Sequence, residues 1–175
     1  VQELIGAVLE LYGAGLDRIL GVVADAGEAG LPIRDALLAS VRRAGSGDAL
    51  DVAVFYFAHR ELLAALLDAH RRGATVRVLL DPNRDAFGRI KNGIPNRQVA
   101  LEMHAAGIPV RWCDTRGEQC HSKLLLHRHA DGNAELIAGS ANFTRRNLDD
   151  YNLETSVRVL ARADSEVMRS ATLLF

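Results

Sequence analysis

Two pairs of residues in this chain have the types and spacing to do chemistry on a phosphate ester. His121 and Lys123 stand two apart at the head of the apolar run Leu124-Leu125-Leu126. On an extended strand that spacing puts both side chains on one face, with Ser122 opposite. A histidine beside a fixed cation is a nucleophile or general acid–base group with a charge ready for an anionic oxygen. Ser140 and Asn142, also two apart and nineteen positions beyond His121, offer a hydroxyl and an amide that can donate to phosphoryl oxygens. Gly139 before them permits close backbone approach. Glu154, twelve residues past Asn142, supplies a carboxylate able to hold the second ring nitrogen of a histidine and fix its tautomer. Taken alone, His-x-Lys is better read as the solvated edge of a surface strand. The segment Gly139 to Asn142, placed directly after a second strand, favours a site.

The elements that must position these groups can be read from periodicity. Cys120 to His129 and Ala134 to Ala138 form a strand pair around Asp131-Gly132-Asn133, which brings both motif segments together. Leu50 to Ala58 is a short apolar and aromatic run, the pattern of a strand buried on both faces at a sheet centre. His59 to Arg72 reads as a helix with Leu62, Leu63, Leu66 and Leu67 on one side and Gly73 as its stop, followed by a strand over Thr75 to Leu80. Such a unit makes a crossover between parallel strands, with functional loops at the C-terminal strand ends, here Ala58-His59 and Asp81-Pro82. Asp81 to Pro95 is a long polar loop. Helices are expected over Ile33 to Arg43, over Asn96 to Ala106 and from Ala163 onward, and further strands over Ile108 to Cys113 and Tyr151 to Leu160.

The fold class expected is therefore α/β, a central mixed β-sheet flanked by helices on both faces, within a domain over residues 31–175. Residues 1–30 read as an N-terminal helical or linker segment: Leu4 to Tyr12 recur at helical spacing, Ile19 to Val23 fits helix or strand, and Ala24 to Pro32 resembles a linker. The start at Val1 and the end at Phe175, inside a helix-like segment, suggest a fragment of something longer.

Composition narrows the function less. The formal net charge is -1 from 21 basic and 22 acidic residues, so no global field recruits nucleic acid or an acidic membrane. No apolar run approaches the roughly 20 residues that span a bilayer, so a soluble, cytoplasmic protein is favoured, with peripheral membrane association left open. Cys113 and Cys120 lack zinc-site spacing; two buried thiols are favoured over a disulfide or a reactive thiol. His127 and His129 share the face of His121 by parity, but strand-end histidines near a turn are usually solvated, and no metal is expected. His59 is balanced between pocket wall and helix cap. Arg145 and Arg146, immediately after the second motif, suit a basic rim; Arg84, Arg89, Lys91 and Arg97 suit a rim or a solubilising face equally. Trp112 and Phe143 read as core.

At His121-Ser122-Lys123 and Gly139-Ser140-Ala141-Asn142 the chain resembles the phospholipase D, or HKD, superfamily, whose motif is His-x-Lys, four residues and Asp, followed by Gly-Ser-x-Asn. Asn142 to Leu148 is similar to the extended form in bacterial phospholipase D-like and cardiolipin synthase-like proteins. The departure is at the motif's Asp, a mainly structural residue in the family, where Arg128 stands. The resemblance implies a phospholipase D-like domain and a metal-independent phosphodiesterase with no cofactor. One histidine attacks phosphorus to form a phosphohistidine, another protonates the leaving oxygen, and water or an alcohol completes the transfer. It implies His121 as nucleophile or general acid, Lys123 and Asn142 on the phosphoryl oxygens, Ser140 and Gly139 as phosphate-binding support, and Glu154 orienting a histidine. With a single motif, the chain is half a site, needing a second HKD motif from an upstream half or a homodimer mate. The resemblance of Asn142 to Glu154 and of Asp81 to Pro95 to lipid-acting members puts a phospholipid first among phosphodiester substrates. A homodimeric nuclease is the alternative, and a non-catalytic scaffold half, favoured by Arg128, is a further one.

Overall fold

The computed structural model describes residues 18–24, 32–86, 89–90, 92–149 and 151–175. The helical reading of Leu4 to Tyr12 and most of the linker after Ala24 lie outside them, as does Lys91. Ile19 to Val23, left open between helix and strand, lies in strand β1 (Arg18–Ala24).

Nine strands and five helices follow in the described residues. The seven-stranded sheet runs in the order β1, β9 (Thr155–Arg162), β8 (Asn133–Gly139), β7 (Lys123–Arg128), β2 (Ala49–Val54), β3 (Thr75–Leu80), β6 (Val110–Trp112). The pairs β2–β3 and β3–β6 are parallel; β2–β7, β7–β8, β8–β9 and β9–β1 are antiparallel. This is the mixed sheet expected, with the strand–helix–strand unit supplying the parallel part. The long polar loop carries its own small hairpin, β4 (Asp85–Ala86) with β5 (Arg89–Ile90).

The helices are α1 (Ile33–Arg43), α2 (Arg60–Arg71), α3 (Asn96–Ala105), α4 (Arg145–Leu148) and α5 (Glu166–Thr172). In α1 the buried set Ile33, Ala36, Leu37, Leu38 and Val41 follows the helical period, and Asp35 in the first turn with Arg42 and Arg43 in the last complements the helix dipole. Helices α1 to α3 pack on one sheet face around Leu50, Val52, Val54, Val78, Leu125 and Ile137. Helix α5 covers part of the other face through Met168 and Ala171, against Ala53, Leu124, Leu126 and Val159. Strand alternation explains the division: odd positions of β7 face α1 and even positions face α5.

Three local expectations are corrected here. Trp112 is 45% exposed rather than core, because β6 is the sheet's edge. The last strand begins at Thr155, and Tyr151 and Leu153 before it are exposed. His127 is wholly buried rather than solvated, because it faces Ser40 of α1 and pairs across β8 with Glu135.

Candidate active site

The register of β2 against β7 fixes the first half of the site. Val54 pairs with Lys123, so the His-x-Lys segment meets the C-terminal end of β2. β7 begins at Lys123, and the Phe55 N–H donates to the Ser122 carbonyl at 2.8 Å, carrying the pairing one residue further. Lys123 is only 7% exposed. Its Nζ donates to the His121 carbonyl at 2.8 Å and stands 5.4 Å from the centre of the Phe55 ring. The exposed His121 imidazole meets the same ring edge-on, at 4.9 Å between centroids. Phe55 is thus the surface on which both motif side chains converge.

Asn142 joins through the next residue of the chain. Its Oδ1 accepts the Tyr56 N–H at 3.1 Å, and Phe143 bridges to Phe57, with backbone bonds to Tyr56, Ala58 and His59. With the amide oxygen fixed on backbone, the Nδ2 is the side of Asn142 left to donate. Ser140 and Glu154 are bonded to each other: the Ser140 hydroxyl donates to Glu154 Oε2 and accepts the Thr155 N–H at 3.1 Å. Glu154 also accepts from Asn147 of α4. Among the described residues no histidine reaches Glu154, and the Ser140 proton is committed to the carboxylate. Gly139 does allow a close approach, but to protein: a Cβ there would lie 2.2 Å from the Thr155 carbonyl oxygen. Only glycine lets β8 and β9 come together where Ser140 and Glu154 meet.

Charge and burial tune the pair. Partial burial lowers the His121 pKa below the usual imidazole value, and the Lys123 charge lowers it further while Asp81 opposes both. Burial brings Lys123 down to about 8, with the Glu154 carboxylate pulling the other way. At neutral pH this favours an uncharged imidazole beside a cation, the forms needed for attack on an anionic ester.

Sequence reasoning marked the strand end at Asp81 but not its role. Asp81 is buried; its Oδ1 accepts from the Asn83 backbone and side chain, and its Oδ2 accepts the Cys120 N–H at 2.8 Å, one residue before His121. Asn96, also buried, ties Phe55, Phe57 and Asp81 together through three hydrogen bonds. Position alone was the available signal, since both sit at the mouth of the long loop. Cys113 and Cys120 are joined in a disulfide, not left as thiols. The bridge spans the exposed turn between β6 and β7 and, with the Asp81 bond, holds the chain entering His121 from both sides.

The remaining candidates sort clearly. His59 is a helix cap: its Nδ1 accepts the Leu62 N–H at 3.2 Å, and its Nε2 meets Asp149. Arg145 and Arg146 are exposed on α4, Arg145 against Tyr151 and Arg146 bonded to Asn152. Arg84 and Arg97 are exposed along the long loop, and the Arg89 side chain is outside the description. Phe143 is core, as expected. Arg128 donates to the buried Asp51 on β2.

Comparison with known proteins bears on the family and the fold. Residues 38–172 match a family model described as cardiolipin synthase, PLD-like domain. Among solved structures, the chain is similar to a phospholipase D family member, Nuc from Salmonella typhimurium, with a TM-score of 0.64 and 21% identity, covering 87% of this chain and 88% of that one. NucT from Helicobacter pylori gives a TM-score of 0.61 at 16% identity, covering 88% of this chain and 91% of its own. Polyphosphate kinase from Porphyromonas gingivalis gives 0.59 at 15% identity, covering 89% of this chain but 25% of its own length. At these identities the likeness is one of fold. No curated protein matches the chain.

Proposed function

The chain belongs to the phospholipase D-like family, whose model spans its residues 38–172, and from that premise we propose that it forms half of a phosphodiesterase site that a second copy completes. The observation that carries this reading is the convergence of His121 and Lys123 on Phe55, with Asn142 docked on the adjoining Tyr56 N–H.

In this reading the uncharged His121 of one copy attacks phosphorus, forming the phosphohistidine, while His121 of the other protonates the departing oxygen. Lys123 and the Asn142 Nδ2 hold the phosphoryl oxygens as charge develops, worth on the order of 3 kcal/mol for a well-placed donor in a dry site. Water then attacks the phosphohistidine, and the second histidine takes its proton. Glu154, which meets no histidine among the described residues, is held by Ser140 and Asn147, and its charge raises the Lys123 pKa against burial. The histidine it steadies is that of the second motif.

A nucleic-acid phosphodiester is the substrate this reading favours. The chain spans nearly the whole of Nuc and of NucT, which supports a one-motif architecture paired through copies, the arrangement that the family resemblance associates with nucleases. Exposed Arg145 and Arg146 beside the Asn142 segment suit a phosphate backbone. The family model's description favours phosphatidyl transfer as the second reading.

The experiment is cleavage of a labelled single-stranded oligonucleotide, run beside headgroup release from phosphatidylglycerol vesicles, both in EDTA and both with His121→Ala. Oligonucleotide cleavage lost in the variant supports the nuclease. Headgroup release alone moves the assignment to lipid, and activity unchanged by His121→Ala rejects the site.

A further inference from the structure

At the far end of the same two strands lies a second cluster that the phosphodiesterase does not use. Asp48 precedes β2, His127 ends the buried part of β7, and His129 enters the turn to β8. One ligand atom from each lies within 4.8 Å of the others. The His127 and His129 rings are 3.9 Å apart between centroids, and His127 Nε2 is 3.6 Å from Asp48 Oδ2.

The hydrogen bonds around His127 define which nitrogen is free. The Ser40 hydroxyl donates to Glu135 Oε2 at 2.8 Å, so its oxygen accepts from His127 Nδ1 at 3.1 Å. The proton is thereby on Nδ1 and the lone pair on Nε2. That Nε2 is buried, has no hydrogen-bond partner, and faces a carboxylate oxygen. A buried imidazole lone pair turned toward a partly buried carboxylate oxygen is reconciled by a cation between them.

We propose that Asp48, His127 and His129 form a binding site for a divalent transition-metal ion of the zinc class. Two imidazoles and a carboxylate are a familiar ligand set for such an ion, with water as the fourth ligand. The 3.6 Å between Nε2 and Oδ2 is near the roughly 3.3 Å edge of a tetrahedron whose bonds are about 2.0 Å. The Glu135–Ser40–His127 chain is the outer support that fixes a ligating ring. Asp48 is itself braced, accepting the Gly45 and Ala130 N–H groups at 2.9 Å. The ion clips the turn after α1 to the β7–β8 hairpin and takes no part in the phosphodiester reaction, so the inference stands apart from that reading.

The test is calorimetric titration of the EDTA-treated, desalted chain with Zn²⁺, alongside thermal unfolding with and without the ion. His129→Ala removes a partly exposed ligand and leaves the buried core in place; His121→Ala serves as the comparison. The expected result is about one Zn²⁺ per chain and a raised midpoint, unaffected by His121→Ala and weakened at least about ten-fold by His129→Ala. Ca²⁺ and Mg²⁺ should not compete. Binding that survives His129→Ala, that vanishes with His121→Ala, or that is absent from the wild-type chain overturns the proposal.

Discussion

Arg128 donates to the buried carboxylate of Asp51 on the neighbouring strand at 2.8 Å. Arg128 occupies the position at which the family motif has an aspartate, and Asp51 is already held by Arg77 through two hydrogen bonds. The motif's missing acid is thus answered by an acid on β2, with the polarity of the pair set by Arg128. This position faces away from the Lys123 side of β7, so the departure bears on stability before it bears on chemistry. Arg128→Asp sets a second carboxylate beside Asp51 and should cost roughly 3 kcal/mol or more in urea unfolding, whereas Arg128→Met should cost much less and keep phosphodiesterase activity.

The pH dependence follows from the two shifted groups. Lys123, lowered to about 8, must keep its proton to hold an oxyanion, so activity should fall as pH rises through about 8. His121, with its pKa below the ordinary value, must lose its proton to attack, so the acid limb should lie below that of a free imidazole. Lys123→Arg, whose guanidinium stays charged, should remove the part of the basic limb that Lys123 contributes and leave the fall set by the second copy's His121, which must keep its proton to act as the acid. The pH profile of kcat/KM for both proteins checks this.

Gly139 is predicted to tolerate no side chain. Gly139→Ala drives a methyl into the Thr155 carbonyl and Ser156 and should cost about 1–3 kcal/mol. It should also lower activity more than Ser140→Ala does, because it displaces both Ser140 and the strand carrying Glu154. Parallel stability and rate measurements separate the two effects.

The disulfide between Cys113 and Cys120 closes a short loop, worth roughly 2–3 kcal/mol of denatured-state restriction. Cys113→Ser with Cys120→Ser should lower the unfolding midpoint and reduce kcat, since the chain leading into His121 then rests on the single Asp81 hydrogen bond. Equal kcat with and without the bridge would show that Asp81 suffices.

The parts legible in the sequence are those set locally. The β7–β8 hairpin announced itself by two short apolar runs around an Asp-Gly turn, and α1 and α2 by their apolar stripes and stops. That the His121-Lys123 and Ser140-Asn142 segments would lie side by side was legible through their spacing about the hairpin; what these residues do is the proposal above. What was hidden depends on which strands become neighbours. Nothing local says that β7 lies against β2, and only that pairing makes Phe55 the platform of the site. The same pairing buries His127 against α1, where strand-end position alone suggested solvent. Trp112 read as core because its apolar run looked internal, yet the strand ends the sheet. The cysteines, seven residues apart, read as two buried thiols, and only the turn folding back between them makes the disulfide.

The central claim is that two copies of His121 build one site, and mixing tests it most directly. Wild-type chain is incubated with increasing excess of His121→Ala, exchange of copies is verified by mass on a size-tagged variant, and activity per wild-type chain is followed. The account predicts that activity falls toward zero as mixed pairs replace wild-type pairs, since each mixed pair holds one histidine where two are needed. Activity per wild-type chain that stays constant while mixed pairs form would contradict it.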